Sequence, residues 1–255
     1  MLSNQEQLRY SRQIMLQKIG MQGQLKLSQA TVLIVGLGGL GNPVSMYLAA
    51  AGVGKLVIAD GDKIDISNLQ RQVLFNQEDI GSNKADCVSD KLQQQNNEIS
   101  IEVIDEMLDH ELCQYYLPQV DAVVDCTDNI ATRYLLNHWC LKLKIPVIFG
   151  AAAGFSGQQL VVDPRQADSA CYQCLFPDTQ NTATDNCQSS GILGPVLAII
   201  AGMQALQTIK LLVGLPVQIN QLNIFDGLAN QWQHLTLTKQ PQCRACHHDD
   251  RNVSY

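Results

Sequence analysis

A glycine cluster, fixed in place by what flanks it, constrains this chain more than any other feature. The β-branched run Thr31–Val35 leads directly into Gly36-Leu37-Gly38-Gly39-Leu40-Gly41, and an apolar helical pattern over residues 43–51 follows. The cluster fits G-x-G-x-x-G in the strand–loop–helix context that gives the motif meaning. Glycines let backbone amides approach a phosphate or ribose, and the helix start favours an anion. A second buried strand, Lys55–Ala59, ends in Asp60, where a carboxylate can take ribose hydroxyls. Helical patterns over Lys84–Gln95 and residues 132–143 alternate with strands Ser100–Ile104, residues 121–125 and residues 146–149. Such alternation predicts a doubly wound, mostly parallel Rossmann-like α/β sheet with helices on both faces.

The rest of the chain is read around that unit. Residues 5–28 carry a helical pattern with Leu8, Ile14, Leu16, Ile19 and Leu25 as candidate apolar positions. After Gly150 the character changes: a strand or hairpin over residues 154–162, then a polar, turn-rich stretch over 163–190 expected to be a mobile crossover loop. A helix over residues 195–212 and strands near residues 221–225 and 233–237 follow, then a polar tail. At 255 residues and 46% apolar content the chain can bury a large core, so one domain over 1–255 is expected, with halves 1–150 and 151–255.

Composition excludes several classes. A net charge of −7 with scattered basic residues disfavours general nucleic-acid binding. The most apolar stretch, residues 192–203, is 12 residues long, which reads as a buried helix rather than a membrane span. The N-terminal ten residues lack an apolar signal core, so a cytoplasmic location without membrane attachment is expected. Nine cysteines in that setting point to reduced thiols or metal binding rather than disulfides.

The glycine motif alone does not choose between NAD, FAD and ATP. Ser67-Asn68-Leu69-Gln70-Arg71-Gln72 and then Lys84, at a helix start, add donors and cations able to neutralise a triphosphate and its leaving pyrophosphate. An NAD-dependent dehydrogenase is a competing reading, disfavoured by Arg71 and Lys84. A non-catalytic partner-binding subunit is another, disfavoured by the intact polar set.

Taken with Asp125-Cys126-Thr127-Asp128-Asn129, these residues resemble the ATP site of the ubiquitin-activating-type superfamily, in its ThiF/MoeB/HesA branch. The resemblance runs from Arg9-Tyr10-Ser11-Arg12-Gln13 to the last cysteine pair. Gly154-Phe155-Ser156-Gly157-Gln158 and Cys171-Tyr172-Gln173-Cys174-Leu175-Phe176-Pro177-Asp178 are more similar to the ThiF side. That side implies adenylylation of the C-terminal Gly-Gly carboxylate of a ubiquitin-like sulfur carrier, ThiS, for the thiazole of thiamine. The MoeB-like alternative activates the small molybdopterin synthase subunit. The resemblance further implies that Asp60 holds the ribose, that Asn68, Arg71 and Lys84 hold phosphates, and that Asp128 places Mg²⁺. Gly38, Gly39, Ser67 and Asn129 complete the implied nucleotide contacts, and Arg12 would reach the γ-phosphate from the other subunit of a homodimer. Read locally, Asp128 is also a candidate helix N-cap and Arg12 a surface charge.

Two cysteine pairs, Cys171-x-x-Cys174 and Cys243-x-x-Cys246, suit tetrahedral Zn²⁺, although 68 residues separate them. The family carries the same pairs, which implies a zinc site in the second, carrier-binding half; His247 and His248 are competing ligands. Cys187 matches the family's loop cysteine, implied to link covalently to the carrier during sulfur transfer, with a sulfurtransferase as a candidate further partner. Cys87, Cys113, Cys126 and Cys140 fall in helices or strands and read as small core residues.

Overall fold

The computed structural model describes residues 2–177 and 191–247. Five strands, β1 (Thr31–Val35), β2 (Lys55–Ala59), β3 (Ser100–Ile104), β4 (Ala122–Asp125) and β5 (Val147–Ala153), pair in parallel in the order β3-β2-β1-β4-β5. Three more, β6 (Ser156–Val162), β7 (Gln221–Asp226) and β8 (Gln231–Thr236), extend the sheet antiparallel beyond β5. The order of connection reverses between β1 and β4, so a crevice opens beyond their C-terminal ends, where open α/β sheets bind ligands.

Period-two alternation splits β1 between two cores. Val32 and Ile34 pack into one, with α4 (Gly41–Ala51), α5 (Lys84–Gln95) and α9 (Gly194–Val213). Leu33 and Val35 pack into the other, with α6 (His110–Tyr116), α7 (Ile130–Leu143) and the short α8 (Tyr172–Leu175). Leu33, Ile34, Leu48, Leu56 and Ile58 are essentially inaccessible to solvent. Each contributes about 1.5–3 kcal/mol by burial.

The N-terminal pattern is where the fold departs furthest from expectation. Residues 5–28 do not form one amphipathic run; they divide into α1 (Asn4–Arg9), α2 (Ser11–Ile14) and α3 (Gly20–Gln29). The break before α3 falls at Gly20, whose φ of +56° suits a residue without Cβ. Leu8 and Leu16 are 77% and 59% exposed, whereas Tyr10 and Leu27 are buried. The Tyr10 hydroxyl accepts a bond from the Asn96 side-chain amide at 2.9 Å. The stretch 154–162, expected as a strand or hairpin, is one strand, β6, and it pairs antiparallel with a β5 that runs on to Ala153, beyond the expected end at 149. Cys113, Cys126 and Cys140 are buried and Cys87 is half-buried.

The last long helix, α9, covers 20 residues and extends the helix expected over 195–212 by one residue at each end. Among the described residues it is the one helix long and apolar enough to cross a membrane; more than half of it is buried inside the fold, against β4, β5 and β6.

Candidate active site

The crevice contains a cavity of about 580 Å³. That is within the range usual for small-molecule sites. Its floor is the glycine cluster. Gly36 has φ +84°, and a Cβ on Gly41 would lie 1.9 Å from the Gly36 carbonyl oxygen, so the sharp strand-to-helix turn requires glycine at both. Asp60 fastens this turn: Leu37 N–H donates to one carboxylate oxygen at 2.7 Å and Asp62 N–H to the other at 2.9 Å. Burial raises its pKa despite the opposing pull of Lys84. Asn42, fully buried, donates to Leu37 O at 2.6 Å and accepts from Leu74 N–H at 3.0 Å, joining the glycine loop to the segment that carries Arg71.

Lys84 begins α5, which Asn83 caps by accepting from Ala85 N–H at 2.8 Å. Its ammonium meets Asp62 at 2.8 Å; the Lys84 side chain is 7% exposed and that of Asp62 53%. A cation this buried requires a partner, and the more accessible carboxylate supplies it. Arg71 and Asn68 also line the cavity. Arg71 donates to Ser67 O at 2.9 Å, and Asn68 accepts from Asp65 N–H at 3.2 Å. Gln72 lines the same wall with its buried side-chain oxygen lacking a partner among the described residues.

The opposite wall is the turn after β4. Asp125, wholly buried, accepts from the backbone N–H and hydroxyl of Thr127 at 3.1 and 2.6 Å and pairs with Arg133 at 3.3 Å. Burial raises the Asp125 pKa, with Arg133 opposing. Asn129, not Asp128, caps α7 by accepting from Ala131 N–H at 2.8 Å. Asp128 is thereby left exposed on the cavity wall.

Of the nucleotide-contact candidates, Gly38, Gly39, Asp60, Asn68, Arg71, Lys84, Asp128 and Asn129 come together around this cavity. Ser67 does not: it is exposed, outside the lining, and its N–H donates to Asp65 at 2.8 Å within a local turn. Arg12 is exposed on α2 and is not part of the lining either. Cys187 and His248 lie outside the described residues. Asp62, Asn42, Arg133 and Gln204 were not singled out from sequence. Asp62 had a visible signal, a second carboxylate two residues after Asp60; the other three depend on tertiary neighbours.

Away from the cavity, Cys171, Cys174, Cys243 and Cys246 have sulfurs all within 4.8 Å of one another. The sulfur–sulfur separations are 3.8 Å for Cys171–Cys174, 3.6 Å for Cys171–Cys243 and 3.5 Å for Cys174–Cys246. Four thiolates about 2.3 Å from a tetrahedral ion would stand about 3.8 Å apart, so the cluster fits zinc and is too open for disulfides. Hydrogen bonding to Cys171 pulls the Cys246 thiol down to about 5 and pushes Cys171 upward.

Comparison with known proteins gives a consistent picture. The ThiF family matches residues 10–245. The chain is 43% identical over 245 residues to the sulfur carrier protein ThiS adenylyltransferase of Escherichia coli (strain K12), covering 96% of this chain and 97% of that protein. It is 44% identical over 248 residues to the adenylyltransferase and sulfurtransferase MOCS3 of Culex quinquefasciatus, of which it spans 56%. Among solved structures it resembles E. coli MccB with MccA-N7isoASN, at TM-score 0.83 and 25% identity over 97% of this chain and 76% of that one. MccB with ATP superposes at TM-score 0.81 and 25% identity, over 94% of this chain and 75% of that one.

Proposed function

The chain belongs to the ThiF family, and from that premise we propose that it adenylylates the C-terminal Gly-Gly carboxylate of a ubiquitin-like, ThiS-type sulfur carrier, with ATP as the nucleotide and pyrophosphate as leaving group. The observation that carries the reading is the buried cation on the cavity wall: Lys84 lines the cavity with the glycine loop, paired with the half-exposed Asp62 at 2.8 Å and acting also on the buried Asp60. A triphosphate can take over that charge.

The carrier's carboxylate is already ionised at neutral pH, so attack on the α-phosphorus needs no general base. Catalysis then consists of positioning and of stabilising charge that grows on the phosphate oxygens. Lys84, Arg71 and Asn68 would supply that stabilisation as the bond to pyrophosphate breaks. Asp60 spends a lone pair of one oxygen on Leu37 N–H in the glycine turn and of the other on Asp62 N–H, and retains others for ribose hydroxyls. A magnesium ion, when bound, would neutralise phosphate charge, and Asp128 is the side chain that would hold it with the phosphates. Zinc in the four-cysteine cluster would be structural, since no ligand position is left open.

Arg12, exposed and outside the lining of its own subunit's cavity, would serve the site of the other subunit in a homodimer. Cys187 would act after adenylylation, as the thiol that joins the carrier during sulfur transfer; Cys187→Ser should then retain exchange activity and lose sulfur delivery. The MOCS3 similarity supports a second reading, in which the carrier is the small molybdopterin synthase subunit.

The test is ATP–pyrophosphate exchange with each carrier type, with NAD binding as control. Exchange that depends on a ThiS-type carrier supports the proposal. Exchange only with the molybdopterin-type carrier favours the second reading, and NAD binding without exchange rejects both.

A further inference from the structure

We propose that Gln204 is a positioning residue for adenylylation, the peg by which α9 holds the Asp128 turn in register with the glycine loop. The proposal rests on the adenylyltransferase reading above.

Gln204 is fully buried in the middle of a predominantly apolar helix, one turn before the buried Gln207 and Thr208. Its amide N–H groups donate to Asp125 O at 2.7 Å, at the end of β4 beside the crevice, and to Ile148 O at 3.1 Å, early in the neighbouring β5. Its oxygen faces the Cys126 thiol at 3.9 Å. The strand makes room for it: a Cβ on Gly150 would fall 2.4 Å from the Gln204 amide carbon and oxygen. On the other side of the sheet, Arg133 grips the same turn, donating to Thr127 O at 2.6 Å and Gly150 O at 3.2 Å while pairing with Asp125. The turn that presents Asp128 is therefore clamped by one side chain from each helical layer.

The same helix touches the other walls of the cavity. A Cβ on Gly39 would meet the Leu197 side chain at 2.5 Å, and one on Gly194 would meet Gln70 O at 3.2 Å, beside Arg71. One rigid helix thus sets the spacing between the glycine loop, the Arg71 segment and the Asp128 turn. A polar side chain buried in an apolar helix is worth keeping where such spacing matters, because misplacing a reacting group by about 1 Å can lower a rate by about 10²-fold.

The experiment is a double-mutant cycle in pyrophosphate exchange. Gln204→Met keeps the volume and removes both donors. Its kcat should fall roughly 10- to 100-fold while KM for ATP stays within about threefold. In an Asp128→Asn background the same change should cost less than about twofold further, because the turn it positions has lost its function. Gly150→Ala displaces the same amide without altering α9 and should reproduce the non-additive loss; it carries the test if the methionine variant fails to fold. Wild-type kcat in a folded Gln204→Met protein, or the same fold loss in both backgrounds, would overturn the proposal. So would insolubility of both variants, since the contact would then hold the fold and not the site. A wild-type enzyme inactive with every carrier would instead remove the adenylyltransferase reading on which the cycle depends.

Discussion

Replacing Lys84 with methionine should separate activity from stability. The ammonium lies 2.8 Å from the Asp62 carboxylate. At an effective dielectric of about 20, that separation corresponds to a gross attraction of about 6 kcal/mol. Most of it is repaid as desolvation, because the lysine side chain is 7% exposed. Methionine fills the same space without a charge to desolvate, and the abandoned Asp62, 53% exposed, can be hydrated. The net stability change should lie within about 1 kcal/mol of zero, or about 2–4 °C in Tm for a chain of this size.

Exchange activity should behave quite differently. Removing one preorganised charge stabiliser lowers turnover by about 10²- to 10³-fold, or about 2.7–4 kcal/mol of transition-state stabilisation. The assay pairs calorimetric melting with carrier-dependent ATP–pyrophosphate exchange on the same preparation. A variant that melts much earlier and loses activity only in proportion to its unfolded fraction would refute the reasoning, since Lys84 would then be a structural ion-pair partner. Full exchange activity would remove Lys84 from the site.

The remaining predictions concern other parts of the molecule. Strong chelation should lower Tm and Cys174→Ser should reduce folded yield if the four cysteines hold zinc; metal analysis of fully reduced protein that finds none would dismiss the site. Mixing inactive Arg12→Ala and Lys84→Met proteins under subunit exchange should restore about a quarter of wild-type activity, since about half the dimers are mixed and one of their two sites is intact. No recovery despite demonstrated exchange would return Arg12 to its own subunit. Burial alone would raise Asp163, but hydrogen bonds from Arg165 and Gln166 hold it below the usual aspartate range. Its contribution should therefore be present above pH ~4 and fade as pH falls through the lowered value, so Asp163→Asn should narrow the stability gap to wild type in acid. An unchanged gap across that range would show that the pairing contributes nothing measurable.

What could be read in advance follows from the range of each signal. The glycine cluster, the five parallel strands and the helices behind them announce themselves by local periodicity, and β2, β3 and α5 fall at the residues the pattern marks. Roles set by neighbours distant in sequence leave no such trace. Ser67 and Asn68 look equivalent as a motif, yet a local turn with Asp65 directs one away from the cavity and leaves the other on its wall. The pattern at residues 5–28 gives helical positions but not the breaks between α1, α2 and α3, so the candidate apolar positions Leu8 and Leu16 lie exposed while Tyr10 and Leu27 are buried. Gln204 bonds residues 79 and 56 positions away, and Arg133 one 17 away, so neither clamp is visible until α7 and α9 are laid on opposite faces of the sheet.

A usable signal does remain in such cases, and it is a misfit. Asn42, in the first turn of α4, and Gln204, in the middle of α9, are uncharged polar residues in predominantly apolar helices, where an amide without partners is penalised. Both are fully buried and bonded to backbone, Asn42 to the glycine loop and Leu74, Gln204 to the end of β4. Asn42 ties the glycine loop to the Arg71 segment, and Gln204 ties the Asp128 turn to α9. An apolar helix fixes which face is buried, whereas a buried amide fixes how far along its axis the helix sits, because its hydrogen bonds are directional where dispersion contacts are not. The cavity's chemistry depends on that axial register, since Leu197 and Gln204 meet opposite walls from one helix.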